Sequence, residues 1–364
     1  MVRAFTSRTY NTQSFTSRTL PSPPRNFNTV YVNSVQYGSI TIAAGNTVGQ
    51  TSITEVKNIP WLNILGFTTS NDLDDLAESC PRLSFTDATT ITATRNTTDA
   101  VFSVTVNFCI IDATENLIKQ VHYGSITTGA LASGTAKIPV VDTTKSAIFF
   151  LGGTGTTTGT PSLARISSVT LTDSSTVTRD SSLASSSTTN FIVVEFQPGV
   201  IQSIQQFSSA QANVDVTTTT NVTISAVTLA NTFIAYGSRH AASDNTYTIE
   251  LTSTTNVRLV RVVGTVVTRT TRYTVIEFVS GILKSNQFVN IALTSLTSNT
   301  ATISAVNVAK TAGFWSGYNS NTSDTAGRTL FLGITLTNST TVTGTVNTSS
   351  ANIKRIAGQF IEFY

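Results

Sequence analysis

The chain has 364 residues, a formal net charge of +3, 11% charged residues and 40% hydrophobic residues, and about 30% of it is Thr or Ser. This apolar content excludes a disordered chain, and the longest apolar run, Ala147–Leu151, is too short to span a bilayer. Because β-branched residues outnumber good helix formers, the composition predicts an all-β protein. The first residues also lack the apolar region of a secretory signal.

Residues 1–32 form a predicted cationic docking arm. It contains four arginines and no acidic residue: Arg3, Arg8, Arg18 and Arg25. Phe-Thr-Ser-Arg-Thr occurs twice, beginning at Phe5 and Phe15, and the prolines of Pro21–Pro24 favour an extended chain. One interpretation is a disordered tail. The favoured one is an arm that adds a strand to the sheet edge of a partner protein.

In that docking hypothesis the two copies of the motif fill two similar pockets. Phe5 and Phe15 are the apolar anchors, and Arg8 and Arg18 pair with carboxylates of the partner. The same four arginines are too thinly spaced for a nucleic-acid site, and the rest of the chain adds no basic stripe. We therefore expect a protein partner.

The remainder of the chain repeats four times. One landmark begins at Phe85, Leu171, Leu251 and Leu336, at spacings of 80 to 86 residues, and is followed by a Thr-rich turn. A second landmark ends in Phe: Val106–Phe108, Val194–Phe196, Ile276–Phe278 and Ile361–Phe363. These patterns predict four units: 33–119, 120–203, 204–284 and 285–364.

Each unit contains about six strand candidates separated by polar turns. In the third unit they are Ile204–Phe207, Asn221–Val227, Thr232–Tyr236, Tyr247–Leu251, Val257–Val263 and Tyr273–Phe278. This spacing predicts four tandem antiparallel β-sandwiches, immunoglobulin-like or small barrels, arranged as separate beads. The first unit departs from the pattern at Asn71–Pro81, where capping residues and early acids predict a short helix in an elaborated loop.

The sequence offers little catalytic chemistry, and we expect neither an enzyme nor a cofactor. Glu195, Glu277 and Glu362 recur once per unit, with Asn107 at the matching position of the first, which is typical of a structural role. The acids of 72–78 are interpreted as a solvated helix start, and two distant histidines, His122 and His240, show no triad context.

Three other features have simple explanations. The Gly-rich segment Gly152–Gly155 lacks the Lys of a phosphate loop and is interpreted as a hairpin tip. Cys80 and Cys109 are either a disulfide or, as we favour, two buried thiols, and with so few Cys and His no metal site is expected. Trp61 and Trp315 with Tyr318 are the hints of a sugar-binding surface.

The Leu-Thr-x-x-Thr-x-Val-Thr hairpin and the Val-Val-Glu-Phe ending, as in Leu171–Thr178 and Val193–Phe196, resemble a repeat common in structural proteins of tailed bacteriophages. The resemblance covers 33–364 and implies a non-enzymatic virion component at the particle surface, made in the host cytoplasm. The arm would bind another virion protein of the capsid, portal, neck or tail.

Within this class, a homo-oligomeric appendage, such as a trimeric tail or collar fibre, is favoured over a capsid decoration or cement protein. The alternative from another class is a carbohydrate-binding adhesin or receptor-binding module that recognises a host-surface glycan. An enzyme such as a polysaccharide depolymerase would need a paired acid and base in a cleft, and acidic residues are sparse.

Overall fold

A computed structural model describes residues 29–70, 80–96, 102–129, 131–155, 167–181, 186–211, 219–237, 247–261, 269–320, 331–351 and 353–364. In these ranges the chain is almost entirely β-strand, which confirms the all-β prediction. Two 3₁₀ turns, Leu229–Asn231 and Val308–Lys310, are the helical elements of this part. The helix predicted at Asn71–Pro81 falls mostly outside the described residues. No helix within the described ranges is long and apolar enough to cross a membrane.

Six strands occur in each of four successive units, in the same order. Unit 1 contains β1 (Val32–Ile42), β2 (Val48–Ser52), β3 (Ile59–Thr69), β4 (Arg82–Asp87), β5 (Thr90–Thr94) and β6 (Val104–Ala113). Unit 2 contains β7 (Ile118–Thr128), β8 (Ser133–Lys137), β9 (Ser146–Gly155), β10 (Ser168–Asp173), β11 (Thr176–Asp180) and β12 (Ser187–Phe196). Unit 3 contains β13 (Ile201–Gln211), β14 (Thr219–Thr223), β15 (Thr232–Tyr236), β16 (Thr248–Ser253), β17 (Asn256–Val260) and β18 (Arg269–Phe278). Unit 4 contains β19 (Leu283–Ala292), β20 (Ser298–Thr302), β21 (Thr311–Ser320), β22 (Leu332–Asn338), β23 (Thr341–Val346) and β24 (Lys354–Phe363).

Within every unit the strands pair in two antiparallel groups. The first, sixth and third strands form one group, as in β1-β6-β3, and the second, fifth and fourth form the other, as in β2-β5-β4. The predicted Thr-rich hairpin joins the fourth and fifth strands. In unit 1 the Asp87 carboxylate accepts the backbone N–H of Thr89 at 2.8 Å, and Asp173 and Asn338 cap the equivalent turns. Short polar side chains fix these turns by imitating a backbone turn.

The prediction of separate beads is wrong, because three of the sheets combine strands from two units. These six-stranded sheets are β1-β6-β3-β22-β23-β20, β2-β5-β4-β9-β12-β7 and β14-β17-β16-β21-β24-β19. The first of them joins unit 4 to unit 1, so the last unit pairs with the first. With the three-stranded sheets β10-β11-β8 and β13-β18-β15, five antiparallel sheets are arranged as in a β-propeller, and separate β-sandwiches are not observed.

The third strands of the units, β3, β9, β15 and β21, pack against one another in cyclic order around the centre. Aromatic rings fill this centre: the ring centroid of Trp61 lies 5.0 Å from that of Phe149 and 5.3 Å from that of Phe314, and Phe233 lies 4.4 Å from Phe314. All four side chains are buried. One hydrophobic core therefore serves all four units, and a single unit could not bury its own third strand.

Glycines with positive φ make the joints between units. Gly66, Gly152 and Gly317 occupy equivalent places in the third strands, with φ of 85°, 97° and 93°. A Cβ at these glycines would lie 2.2 Å from the carbonyl oxygen of Leu332, 2.1 Å from that of Pro81 and 2.0 Å from that of Tyr247, respectively. Only a residue without a Cβ permits this backbone approach. The Gly-rich segment Gly152–Gly155 is thus part of a strand, and the hairpin tip predicted there is wrong.

Both cysteines are buried and neither forms a disulfide, which answers the disulfide question in favour of two thiols. The Cys109 thiol donates to the carbonyl oxygen of Gly313 at 3.2 Å, so it ties β6 of unit 1 to β21 of unit 4. Burial raises the pKa of Cys109 to about 12, although hydrogen bonds with Gly313 and Asn63 oppose the shift. A protonated thiol of this kind is unreactive at neutral pH.

We predict that Gly66→Ala lowers the free energy of unfolding by about 3 kcal/mol, since a left-handed alanine is strained and its Cβ overlaps the Leu332 carbonyl. Gly45→Ala is the matched control: Gly45 also has a positive φ, of 77°, but no atom lies within 4 Å of its Cβ position. We expect it to cost about 1 kcal/mol. Denaturant unfolding of both variants makes the comparison, and equal losses would contradict a role for Gly66 in the joint.

Candidate functional site

The sequence-predicted docking residues Phe5, Arg8, Phe15 and Arg18 lie outside the described residues. Docking through the arm therefore stays a prediction. The other sequence-level candidates fall within the described part of the chain, apart from His240 and the acids of 72–78.

The repeated carboxylates occupy one position of the sixth strand in all four units. Strand register places Glu195, Glu277 and Glu362 opposite residues of the first strand, and in unit 1 the same place belongs to Asp112, paired with Ser34. The alignment of Asn107 with the glutamates is therefore wrong. The Val-x-Phe pattern of the other units matches Val106–Phe108, which is centred five residues before Asp112 in β6. Only the pairing of β6 with β1 shows that Asp112 is the equivalent position.

Each of these carboxylates is at least 94% buried, and three of the four tie the segment before the third strand to the sixth strand. Asp112 accepts the backbone N–H of Asn58 at 3.0 Å, Glu277 that of Thr228 at 2.8 Å and Glu362 that of Asn307 at 3.1 Å. Glu195 instead accepts from Lys119 Nζ at 2.8 Å and from Gln120 Nε2 at 2.5 Å. With their oxygens satisfied in this way, the repeated acids are structural, as the sequence predicted.

Glu195 also makes stability depend on pH. Burial raises the pKa of Glu195, but hydrogen bonds from Lys119, Gln120 and the Asp142 backbone outweigh burial, so this pKa lies below its usual value. A carboxyl with a lowered pKa in the folded state stabilises the protein above its unfolded pKa, and that stability is lost as the pH falls through the folded pKa.

We predict that Glu195→Gln is less stable than wild type at pH 7 and that the two converge below about pH 4, near the ordinary pKa of Glu. The midpoint of denaturant unfolding, measured from pH 7 to pH 3, checks this. Glu115→Gln removes one exposed carboxylate and controls for net charge. A stability gap between Glu195→Gln and wild type that is constant across this range would contradict the prediction.

Two equivalent clefts lie where one unit meets the next. The Tyr123 cleft, between units 1 and 2, has a volume of about 390 Å³ and is lined by Arg82, Leu83, Ser84, Phe85, Tyr123, Gly124, Ser125, Leu151, Asn190 and Phe191. The Arg272 cleft, between units 2 and 3, has about 130 Å³ and is lined by Ile148, Val169, Thr170, Gln206, Phe207, Ser208, Gly237, Arg272, Tyr273 and Thr274.

In the Tyr123 cleft a tyrosine ring is held in place with part of its surface open to solvent. The Tyr123 hydroxyl donates to the carbonyl oxygen of Pro60 at 2.9 Å and accepts the backbone N–H of Leu62 at 3.2 Å. Burial of this hydroxyl raises the pKa of Tyr123. The side chain is nevertheless 38% exposed, and Phe85 packs edge-on against its ring with centroids 5.6 Å apart. The cleft therefore has a rigid aromatic wall.

A cation with no acidic partner among the described residues, Arg82, faces the same cleft. Arg82 Nη1 donates to the Asn190 side-chain oxygen at 3.4 Å, and the buried Nε of Arg82 has no hydrogen-bond partner among the described residues. Half-burial lowers the pKa of Arg82, the direction expected when a charge loses water. Asn190 is itself fixed, because its amide nitrogen donates to the carbonyl oxygen of Leu83 at 2.9 Å.

The Arg272 cleft differs from the Tyr123 cleft in the pairing of its arginine and in the residue at the place of the tyrosine. Arg272 forms an ion pair with Asp180 at 2.5 Å and donates to the Thr170 hydroxyl, and Gln206 stands at the place of Tyr123. Its guanidinium is thus neutralised within the protein, where it bridges units 2 and 3.

The aromatic residues that hinted at sugar binding do not form a surface. Trp61, Trp315 and Tyr318 are at least 94% buried in the core, so this expectation is wrong. The sequence did not indicate Tyr123 as a site residue. Its exposure depends on a strand of unit 2 lying beside unit 1, which no local pattern reveals. Tyr37, its equivalent in unit 1, donates to the carbonyl oxygen of Thr311 in unit 4.

Metal and triad chemistry find no support in the described ranges. No group of three His, Cys, Asp or Glu side chains there is arranged to hold a metal ion. Burial lowers the pKa of His122, against an opposing effect of Glu195, and the Nε2 of His122 has no hydrogen-bond partner among the described residues.

Comparison of the chain with known proteins finds no matching family model, no matching curated protein and no matching solved structure.

Proposed function

We propose that the chain is a non-enzymatic structural protein of a bacteriophage virion, attached through residues 1–32 to another virion protein. The observation that carries this proposal is the use of its few charged groups for assembly of the fold. The repeated carboxylates hold chain crossovers, and Arg272 and Asp180 bridge two units. A body held together in this way is suited to staying folded on a particle and to acting by contact with other molecules.

We further propose that the body is a ring of four equivalent units. The sheets β10-β11-β8 and β13-β18-β15 are then the two halves of a fourth six-stranded sheet, since Ser168 occupies the place in β10 that Arg82 has in β4, where Arg82 pairs with Gly152 of the next unit. The third-strand position of unit 3 that matches Gly152 is residue 238, which lies outside the described residues. The Arg272–Asp180 ion pair bridges this joint.

Ring closure changes the argument about position on the particle. A string of separate beads would extend far from the particle, as a fibre does. A body in which unit 4 pairs with unit 1 is not extended in that way. A collar or neck appendage and a head decoration protein both fit a compact body with an arm.

Copy number distinguishes these positions. We predict that quantitative mass spectrometry of purified particles from a phage that encodes this chain detects it as a virion component. A low copy number that is a multiple of three, five, six or twelve indicates an appendage. Tens to hundreds of copies indicate a decoration protein. Absence of the chain from purified particles would overturn the virion proposal.

The arm is tested separately with the full-length protein. We predict that Phe5→Ala and Phe15→Ala each weaken binding to particles lacking the protein, measured by co-sedimentation, and that the double variant binds at least ten-fold more weakly than either. In this proposal each phenylalanine side chain fills one of two similar pockets of the partner. Tyr10→Ala, which removes an aromatic residue outside both motif copies, is the control. A loss as large with Tyr10→Ala would refute the two-pocket arrangement.

A further inference from the structure

We propose that the Tyr123 cleft binds an acidic saccharide, with a sugar ring stacked on Tyr123 and the sugar carboxylate paired with Arg82. This inference goes beyond the structural role and does not depend on it. It concerns the joint between units 1 and 2, whereas the virion proposal concerns the arm and the particle.

The aromatic wall is the first part of the argument. The C–H faces of a pyranose are apolar, and the face of an aromatic ring offers them an apolar, electron-rich surface. Two hydrogen bonds of the hydroxyl, to Pro60 and Leu62, hold the Tyr123 ring while 38% of the side chain stays exposed. A platform that is already fixed loses little conformational entropy when a ligand binds.

The unpaired arginine is the second part. Desolvating a guanidinium is costly unless an anion compensates it, and unpartnered buried polar atoms in a native structure call for an explanation. Arg82 is half-buried, and among the described residues its guanidinium donates to an amide oxygen at 3.4 Å while its buried Nε has no partner. A carboxylate of the ligand supplies a partner of the geometry that guanidinium groups prefer.

The remaining lining suits the hydroxyl groups of a sugar. Ser84 and Ser125 line the cleft beside Tyr123, and a volume of about 390 Å³ falls within the range of small-molecule sites. A single arginine with an aromatic wall favours a sugar carboxylate over a phosphate, which proteins usually hold with several donors or a helix N-terminus.

The equivalent joints show that this combination is specific to one place. At the joint of units 2 and 3, Ser168 stands at the place of Arg82, and the tyrosine is replaced by Gln206. At the joint of units 4 and 1 the tyrosine remains as Tyr37, but Gly333 stands in the place of Arg82. A residue pair required by the fold would recur with the repeat. The pair of Arg82 and Tyr123 does not.

The test uses the full-length protein and three acidic probes: tetrasaccharides of glucuronate and of galacturonate, and sialyllactose. Neutral maltotetraose and inorganic phosphate are the comparison ligands. Binding is measured by isothermal titration calorimetry and by saturation-transfer NMR on the sugar ring protons. We expect at least one acidic probe to bind ten-fold more tightly than maltotetraose, with saturation concentrated on one face of a sugar ring.

Variants separate the two contacts. Arg82→Gln should weaken binding of the acidic probe at least ten-fold and leave the affinity for maltotetraose unchanged, and Arg355→Gln, which removes an exposed arginine from unit 4, should change neither. Tyr123→Ala should abolish saturation transfer. Tyr123→Phe keeps the ring, so it should retain binding even if loss of the hydroxyl lowers stability, and circular dichroism checks the fold of each variant.

Three results would overturn the proposal. No binding by any acidic probe refutes the site. Equal affinity for phosphate and the acidic sugars identifies a simple anion site. Unchanged affinity for the acidic probe in Arg82→Gln places binding elsewhere on the protein.

Discussion

A close approach of two backbones, made possible by glycine, determines the architecture of this protein. Gly66, Gly152 and Gly317 each allow a carbonyl oxygen of the neighbouring unit to lie about 2 Å from the place of a Cβ. Through these joints the three-stranded groups of different units merge into six-stranded sheets. The joint at Gly66 links unit 4 to unit 1, and it converts a linear repeat into a closed one.

The interior follows from that closure. Once the units are closed, β3, β9, β15 and β21 face one another, and their aromatic side chains form a shared core. The sixth strands then need internal ties, and Asp112, Glu277 and Glu362 supply them by accepting backbone N–H groups from the crossover segments. A buried carboxylate is stable there because its partners are fixed donors. Charge in this chain is sparse and largely used for internal contacts.

Sequence patterns predicted what is local and missed what is long-range. The hairpin turn at Asp87 and the strand Thr232–Tyr236 follow from turn chemistry and from a short apolar run, both within a few residues. Ring closure joins residues far apart in the sequence, such as Gly66 and Gly333, which pair although they are 267 positions apart and carry no distinctive motif. The Asn107 misalignment has the same origin, since only pairing with β1 defines the register of β6. The Tyr123 cleft combines residues of two units and could not be read from either.

The repeat also provides a way to separate fold from function within a single sequence. Residues that recur at equivalent positions, such as Glu277 and Glu362, satisfy a requirement that every unit shares. A residue that one unit alone carries is not explained by that requirement. Arg82 is such a residue, because its equivalents are Ser168, Thr248 and Gly333, and the fold forms at those places without a cation. The half-buried guanidinium of Arg82 has no carboxylate partner in the part of the chain that the structure describes, and burying it costs stability that binding of an external anion would offset.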